Sequence, residues 1–301
     1  MPKRFFPFCA LVLLFLSSAS RAETPAPTTA QTDRWSTLPT KPLALLTHHT
    51  FHSKCMDTEV GYNLYLPPGY EADKGLRYPV LYWLHGMNQS ESTDQYPPRY
   101  LDDGIKAGTI KPMIVVYASG GQRTYYTDSA SAKSYPETEI IEELIPYIDA
   151  TYRTNSVREQ RAIAGMSMGG FGALKFAFKH PELFSSVTAF APGIRDPQSF
   201  AKDRPDILRR MFNNDPASYE ANHPATWLKR NVDQIRGKLP ISLYVGTKDY
   251  LLAGSQSLHQ LMNDLHVEHT YKEFDGLTHN LTQYSGQTKG TPFVFASEHF
   301  K

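Results

Sequence analysis

Two kinds of hydrophobic pattern alternate along most of the chain. The first is the short, unbroken apolar run closed off by turn residues. Residues 80–84 (VLYWL) follow Pro79 and stop at His85-Gly86, and residues 113–117 (MIVVY) follow Pro112 and stop at Ser119-Gly120-Gly121. Residues 162–164 lead into Gly165, and residues 241–245 (ISLYV) lead into Gly246. Runs of this length, apolar at every position, suit strands covered on both faces of a parallel sheet. The second pattern has helical spacing. Over 137–152, Ile140, Ile141, Leu144, Ile145 and Ile148 share one face, and further helices are predicted over 169–179 and 255–265. Residues 44–66 predict antiparallel strands that end at Pro67-Pro68-Gly69-Tyr70. Strand and helix in alternation define a three-layer α/β fold with a mostly parallel central sheet and helices on both faces. The alternation breaks over 195–235, where charge, proline and Trp227 predict a small helical insertion over the sheet's edge, a candidate partial lid.

The first 41 residues lie outside that pattern. Lys3 and Arg4 precede a short apolar stretch, and Ser20-Arg21-Ala22 places small residues at the −3 and −1 positions of a cleavage site, so residues 1–22 read as a secretory signal peptide. The stretch is shorter than the roughly 20 apolar residues a membrane span needs, and Pro7 interrupts it. No stable membrane association is expected after cleavage, and the expected location is secreted or periplasmic. Residues 23–41 are rich in Thr, Pro and Ala and read as a flexible linker, leaving 42–301 as one catalytic-sized domain.

Charge and cysteine content narrow the function. Lys and Arg number 31 against 30 Asp and Glu, with no basic stripe, which argues against nucleic acid as a partner. Removal of Lys3, Arg4 and Arg21 takes the basic total from 31 to 28, making the processed chain slightly acidic. Of the two cysteines, Cys9 falls in the signal, so Cys55 has no disulfide partner and packing must hold the exported domain together. His48, His49 and His52 form the one compact histidine group. They lack a carboxylate at zinc-ligand spacing, so neither metal nor other cofactor is expected.

The most informative segment is Gly165-Met166-Ser167-Met168-Gly169, a G-x-S-x-G between an apolar strand and a helix of small residues. A serine at such a junction must occupy a very tight turn, which exposes its hydroxyl and puts the next N–H, that of Met168, at a helix N-terminus facing a developing oxyanion. The base and orienting acid for this arrangement follow in the order Asp, His. Asp249 sits just past the 241–245 strand, and His279 sits in a glycine-bearing loop after the strand-like 270–274. Asp275 shares the His279 loop and Asp264 lies on a helical pattern, while His180 precedes Pro181 at a helix end. The second oxyanion donor is expected from the Met87 N–H, with Gly86 allowing close approach.

With these residues in view, the chain resembles the esterase family of α/β-hydrolases that includes esterase D, feruloyl and acetylxylan esterases, siderophore esterases and mycolyltransferases. The resemblance covers roughly residues 45–300. It is carried by YLPPGY at 65–70, YPVLYWLHG at 78–86, ELIPYID at 143–149, RAIAGMSMGG at 161–170, HPELF at 180–184 and VGTKD at 245–249. It implies an α/β-hydrolase fold, and its Ser, Asp and His fall on Ser167, Asp249 and His279. Its oxyanion loop falls on Gly86-Met87, although many members carry a small residue where Met87 stands. The segment Tyr125-Tyr126-Thr127-Asp128 resembles a loop beside the family's active site, which makes Gly86, Tyr125 and Tyr126 candidate substrate-binding residues. The expected function is a secreted serine carboxylesterase acting on a small-molecule or carbohydrate ester, feruloyl or acetyl. Acyl transfer to a carbohydrate, or siderophore or lactone hydrolysis, are the alternatives. A non-catalytic binding protein is disfavoured because all three catalytic positions are filled in order.

Overall fold

The computed structural model describes residues 1, 2 and 34–301 of the 301-residue chain. Residues 33–301 form one compact unit, and of the separate segment before it only the exposed Met1 and Pro2 are described. The signal-peptide expectation therefore lies outside the described residues, as does most of the linker.

The predicted alternation becomes one eight-stranded sheet. Its strands are β1 (Thr47–Ser53), β2 (Thr58–Tyr65), β3 (Val80–Leu84), β4 (Ile114–Ala118), β5 (Arg161–Met166), β6 (Ser186–Phe190), β7 (Ile241–Gly246) and β8 (Thr270–Phe274), in the order β1-β2-β4-β3-β5-β6-β7-β8. The first two strands run antiparallel to their neighbours and the rest are parallel. Each face of the sheet has its own core. Val80, Tyr82 and Leu84 point into one, and Leu81 and Trp83 into the other, so the whole of β3 is buried. That explains a run with no polar position: a strand covered on both sides has no face left for water.

The helices are α1 (Arg99–Lys106), α2 (residues 136–151), α3 (Met168–Lys179), an insertion of α4 (Pro197–Asp203), α5 (Pro205–Met211), α6 (Pro216–Ala221), α7 (Pro224–Arg230) and α8 (Val232–Ile235), then α9 (Leu252–Asp264), α10 (Leu281–Thr288) and α11 (Thr291–His299). Residues of α2, α3, the insertion and α9 pack in the first core, and residues of α1, α10 and α11 in the second. Within α2 the backbone widens to a π-helix over Glu139–Leu144, just before Pro146. A proline inside a helix has no N–H to donate and its ring presses on the preceding turn, and the wider turn accommodates it.

Two expectations are corrected here. The insertion lies between β6 and β7, interior strands of the sheet, and packs on α3 rather than over the sheet's edge: Asn231 Nδ2 donates to the Phe178 carbonyl at 2.8 Å, and Phe171 meets His223 and Tyr219. Each of α4 to α7 begins with proline at its first turn, where the missing N–H costs nothing, and Asp196 and Asp215 cap α4 and α6. The folded body also starts before residue 42. The Trp35 carbonyl accepts from Gly61 N at 2.7 Å, Thr37 N donates to Glu91 Oε1 at 2.5 Å, and Ser92 Oγ donates to the Thr37 carbonyl at 2.6 Å. Strand β6 has no counterpart in the apolar-run reading because Ser186 and Thr188 interrupt it. They are buried nonetheless, and Thr188 Oγ1 hydrogen bonds Ser242 Oγ at 2.8 Å across to β7.

Candidate active site

Ser167 stands alone between β5 and α3 with φ 59° and ψ −121°, a conformation L-residues rarely adopt. Backbone bonds hold it there: Ser167 N donates to the Phe190 carbonyl at 2.9 Å, and the Ser167 carbonyl accepts from Phe171 N at 3.0 Å and Gly193 N at 2.7 Å. The flanking glycines are needed for space. A Cβ on Gly165 would sit 2.5 Å from the Gly169 carbonyl, and one on Gly169 would sit 2.0 Å from the Leu84 carbonyl oxygen. The turn is tight because α3 starts almost in contact with β3.

Ser167, Asp249 and His279, up to 112 residues apart in sequence, meet at the C-terminal ends of the strands. His279 Nε2 lies 2.8 Å from Ser167 Oγ, and His279 Nδ1 lies 2.8 Å from Asp249 Oδ2 and 3.0 Å from Oδ1. The Asp249 side chain is fully buried. Its carboxylate also accepts from Leu251 N at 2.9 Å and from the Tyr284 hydroxyl at 2.9 Å, while that hydroxyl accepts from Gly246 N at 2.7 Å. A buried carboxylate with this many donors is held in a fixed orientation. Asp275, by contrast, is exposed and accepts from Thr247 Oγ1.

The two expected oxyanion donors lie on either side of the serine. Met168 opens α3, where the N–H has no intrahelical acceptor. In the 85–89 loop, Gly86 N donates to Asp94 Oδ2 and Asn88 N to the Gln122 carbonyl at 2.7 Å. Among the described residues no acceptor takes the Met87 N–H between them. Burial pushes the Asp94 carboxyl up to about 6, against the opposing effects of the Gly86 N–H and the His279 charge. The loop is fastened further by Trp83 Nε1 donating to the Asp94 carbonyl and by Gly120 N donating to His85 Nε2, at 2.8 and 3.1 Å. Burial drives His85 down to about 4, so it remains a neutral acceptor there.

Ser167 and His279 open into a cleft of about 500 Å³, lined in part by Gly86, Met87, Asp94, Tyr250 and Asn280. Gly86 therefore lies where the sequence reading put it. Tyr125 and Tyr126 do not line this cleft, which corrects the expectation for them. Tyr126 is wholly buried, donating its hydroxyl to the His85 carbonyl at 3.0 Å and packing on Gly120 and Gly172, so it props the 85–89 loop from behind. Tyr125 is 3% exposed, its ring in T-shaped contact with Phe171 and Phe200. Both have φ near 50°, and Lys175 Nζ fixes the loop by donating to the Tyr126 carbonyl at 2.7 Å. Sequence reasoning missed Asp94, Tyr250 and Tyr284. Adjacency to Asp249 was a signal for Tyr250, whereas nothing in the local pattern marks the other two.

Among the described residues no group of three His, Cys, Asp or Glu side chains is placed to hold a metal ion, and no helix is long and apolar enough to cross a membrane. His48 hydrogen bonds Asn63 Oδ1 at 2.9 Å, His49 stacks on Tyr62, and His52 lies beside Asp57 and Glu59.

A mostly parallel sheet with Ser167 on a strained turn after β5, Asp249 after β7 and His279 after β8 is the α/β-hydrolase arrangement. Comparison with known proteins takes the assignment one step further. The chain belongs to the esterase family whose model, described as "Putative esterase", matches residues 53–291. It is 38% identical over 148 residues to "Esterase Rv1288" of Mycobacterium tuberculosis, covering 48% of this chain and 31% of that protein. It is 35% identical over 164 residues to an "Endo-1,4-beta-xylanase/feruloyl esterase" of Xylanibacter ruminicola, covering 50% and 23%. The chain thus spans less than a third of the length of these curated relatives. Among solved structures it is similar in fold to a ferulic acid esterase, with TM-score 0.72, 24% identity and coverage of 85% of this chain and 98% of the other. An S-formylglutathione hydrolase of Staphylococcus aureus gives TM-score 0.69 at 17% identity, covering 83% and 98%.

Proposed function

We propose that the protein is a secreted serine carboxylesterase that cleaves feruloyl or acetyl esters of carbohydrates through an acyl-enzyme on Ser167. The observation that carries the proposal is the continuous chain from Ser167 Oγ through His279 to the buried Asp249 carboxylate, at 2.8 Å per link, on a strained turn at the cleft floor. In this reading His279 Nε2 takes the Ser167 proton as Oγ attacks the ester carbonyl, and Asp249 holds the imidazole and balances its positive charge. The Met87 and Met168 N–H groups bind the oxyanion, each contributing about 3 kcal/mol to the transition state. His279 returns the proton to the departing alkoxide. Water then repeats the sequence on the acyl-enzyme and releases the acid.

The substrate class rests on likeness: relatives over half the chain carry the names esterase and feruloyl esterase. Export rests on the Lys3-Arg4 start, the short apolar stretch and Ser20-Arg21-Ala22. The test is hydrolysis of methyl ferulate and p-nitrophenyl acetate by the purified protein, with Ser167→Ala alongside. The expected result is activity that falls by at least about 10³-fold in the variant. Equal activity in both proteins would overturn the reading, and acetate-only activity would remove the feruloyl assignment.

A further inference from the structure

Tyr250 stands where two hollows meet. It lines the Ser167 cleft of about 500 Å³ and also a second cavity of about 400 Å³, and among the described residues it is the one shared by both walls. It is also the one aromatic among their exposed large apolar side chains, at 57%. Two neighbours hold its ring: the His279 imidazole, 4.5 Å away between centroids, and the Arg195 guanidinium, 5.6 Å from the ring centroid. An aromatic ring left in water at the mouth of a reaction cleft offers an apolar face for a ligand to lie on.

The second cavity has fixed walls. On one side α9 presses against the chain leaving β6: a Cβ on Gly254 would sit 2.2 Å from the Ile194 carbonyl oxygen. On the other, the α4–α7 insertion supplies Glu220, His223 and Lys229. His223 Nδ1 accepts from Ala225 N at 3.1 Å, and its ring meets that of Phe171, whose N–H donates to the Ser167 carbonyl. The insertion is thus braced on the helix that follows the nucleophile, and it walls a space next to the cleft. Arg195 and Lys229 are matched there by Asp196 and Glu220, so the cavity carries no excess charge to select an ion. Among the described residues no hydrogen bond or ion pair engages the Glu220 carboxylate or the Lys229 ammonium. A free acceptor and a free donor suit a ligand rich in hydroxyls, because each hydroxyl both donates and accepts.

The chemistry of the reaction selects the half of the ester that reaches this space. The departing alkoxide takes its proton from His279 Nε2, so the alcohol half lies beside that imidazole and hence beside Tyr250. We propose that Tyr250 and the second cavity form the subsite for that alcohol half, a neutral oligosaccharide that lies on the Tyr250 ring and extends to Glu220 and Lys229. This rests on the esterase reading above and deepens it: the leaving sugar is held through more than one of its units.

The test uses two pairs of esters, each sharing its acid: feruloylated xylotriose against methyl ferulate, and acetylated xylotriose against methyl acetate. The quantity read is the ratio of kcat/KM for the sugar ester over the methyl ester, in whichever pair the native protein cleaves. Tyr250→Ala is expected to lower that ratio at least about tenfold, mainly through KM of the sugar ester, and Tyr250→Phe, which keeps the ring, should restore it. The double variant Glu220→Ala, Lys229→Ala should lower it about threefold or more. A ring that merely steadied His279 would affect both esters of a pair alike, so a ratio unmoved by Tyr250→Ala overturns the subsite while the esterase reading stands. A change confined to the preference between methyl ferulate and methyl acetate overturns it too, since the ring would then serve the acyl half. If the native protein cleaves none of the four esters, the esterase reading fails. Calorimetry with free xylotriose then decides the subsite: binding that Tyr250→Ala abolishes supports it, and no binding, or equal binding in both proteins, overturns it.

Discussion

Replacing Tyr284 by phenylalanine removes one oxygen atom from the interior, and the consequences can be worked through. That hydroxyl donates to Asp249 Oδ2 at 2.9 Å and accepts from Gly246 N at 2.7 Å, and the residue has no exposure. A hydrogen bond to a charged group contributes about 1.5–3 kcal/mol, and a buried N–H left without an acceptor costs about 1–3 kcal/mol. The expected loss of folding stability is therefore about 3 kcal/mol, which corresponds to a fall of about 6–12 °C in Tm for a domain of this size. Asp249 keeps its bonds to His279 Nδ1 and Leu251 N, so the histidine stays in place but is held less firmly. An approximately tenfold fall in kcat with KM nearly unchanged is expected, because orientation of the base matters in the transition state rather than in binding. The assays are calorimetric unfolding and steady-state hydrolysis of p-nitrophenyl acetate across pH. A Tm within 2 °C and a kcat within about twofold of the native protein would refute the reasoning.

Four further expectations follow from the geometry. Gly169→Ala puts a methyl group 2.0 Å from the Leu84 carbonyl oxygen, so α3 must move off β3; the cost is expected at about 3 kcal/mol or more, and an alanine variant with native Tm and activity would refute it. Lys175 is fully buried and 2.8 Å from Glu137, so Lys175→Met should cost about 3–5 kcal/mol by denaturant unfolding, and a cost below about 1 kcal/mol would refute it. Burial alone would raise the Glu137 carboxyl, but the Lys175 charge, with bonds from His180, Lys175 and Lys179, holds it well below its usual 4.5. That stabilisation is present above pH 4.5 and is lost as pH falls below it through the lowered folded value, so Glu137→Gln should flatten the acid side of the stability curve. Asp94 works in the opposite sense. Burial raises it to about 6 from 3.8, so its ionisation penalises the fold as pH rises across that interval. Asp94→Asn should remove a pH-dependent loss on the order of 2 kcal/mol between pH 4 and 7, and parallel stability curves for the two proteins would contradict this.

Much of this molecule is written locally. Residues 80–84 need only their unbroken apolar character to declare a strand buried on both faces. The glycines around Ser167 declare a turn that other residues could not make in the space available. The order Ser167, Asp249, His279 and the strand preceding each were legible for the same reason, since each depends on a short segment and its immediate neighbours. Strand β6 was not, because Ser186 and Thr188 interrupt its apolar run and Thr188 is satisfied by Ser242, a partner distant in sequence, rather than by a local signal.

The supports of the site belong to the tertiary structure alone. Asp94 reaches back to Gly86, Tyr284 reaches Asp249 across 35 residues, and Lys175 holds the Tyr126 carbonyl across 49. Tyr126 shows the difference most plainly. Its resemblance to a loop beside the family's active site implies a pocket wall, yet it is buried behind His85, because the direction of its side chain is set by the helix and loops packed against it. Periodicity and turn chemistry act over a few residues and therefore survive in the sequence as pattern. Whether a polar side chain faces the cleft or the interior depends on contacts between distant segments, and those exist only once the layers have packed.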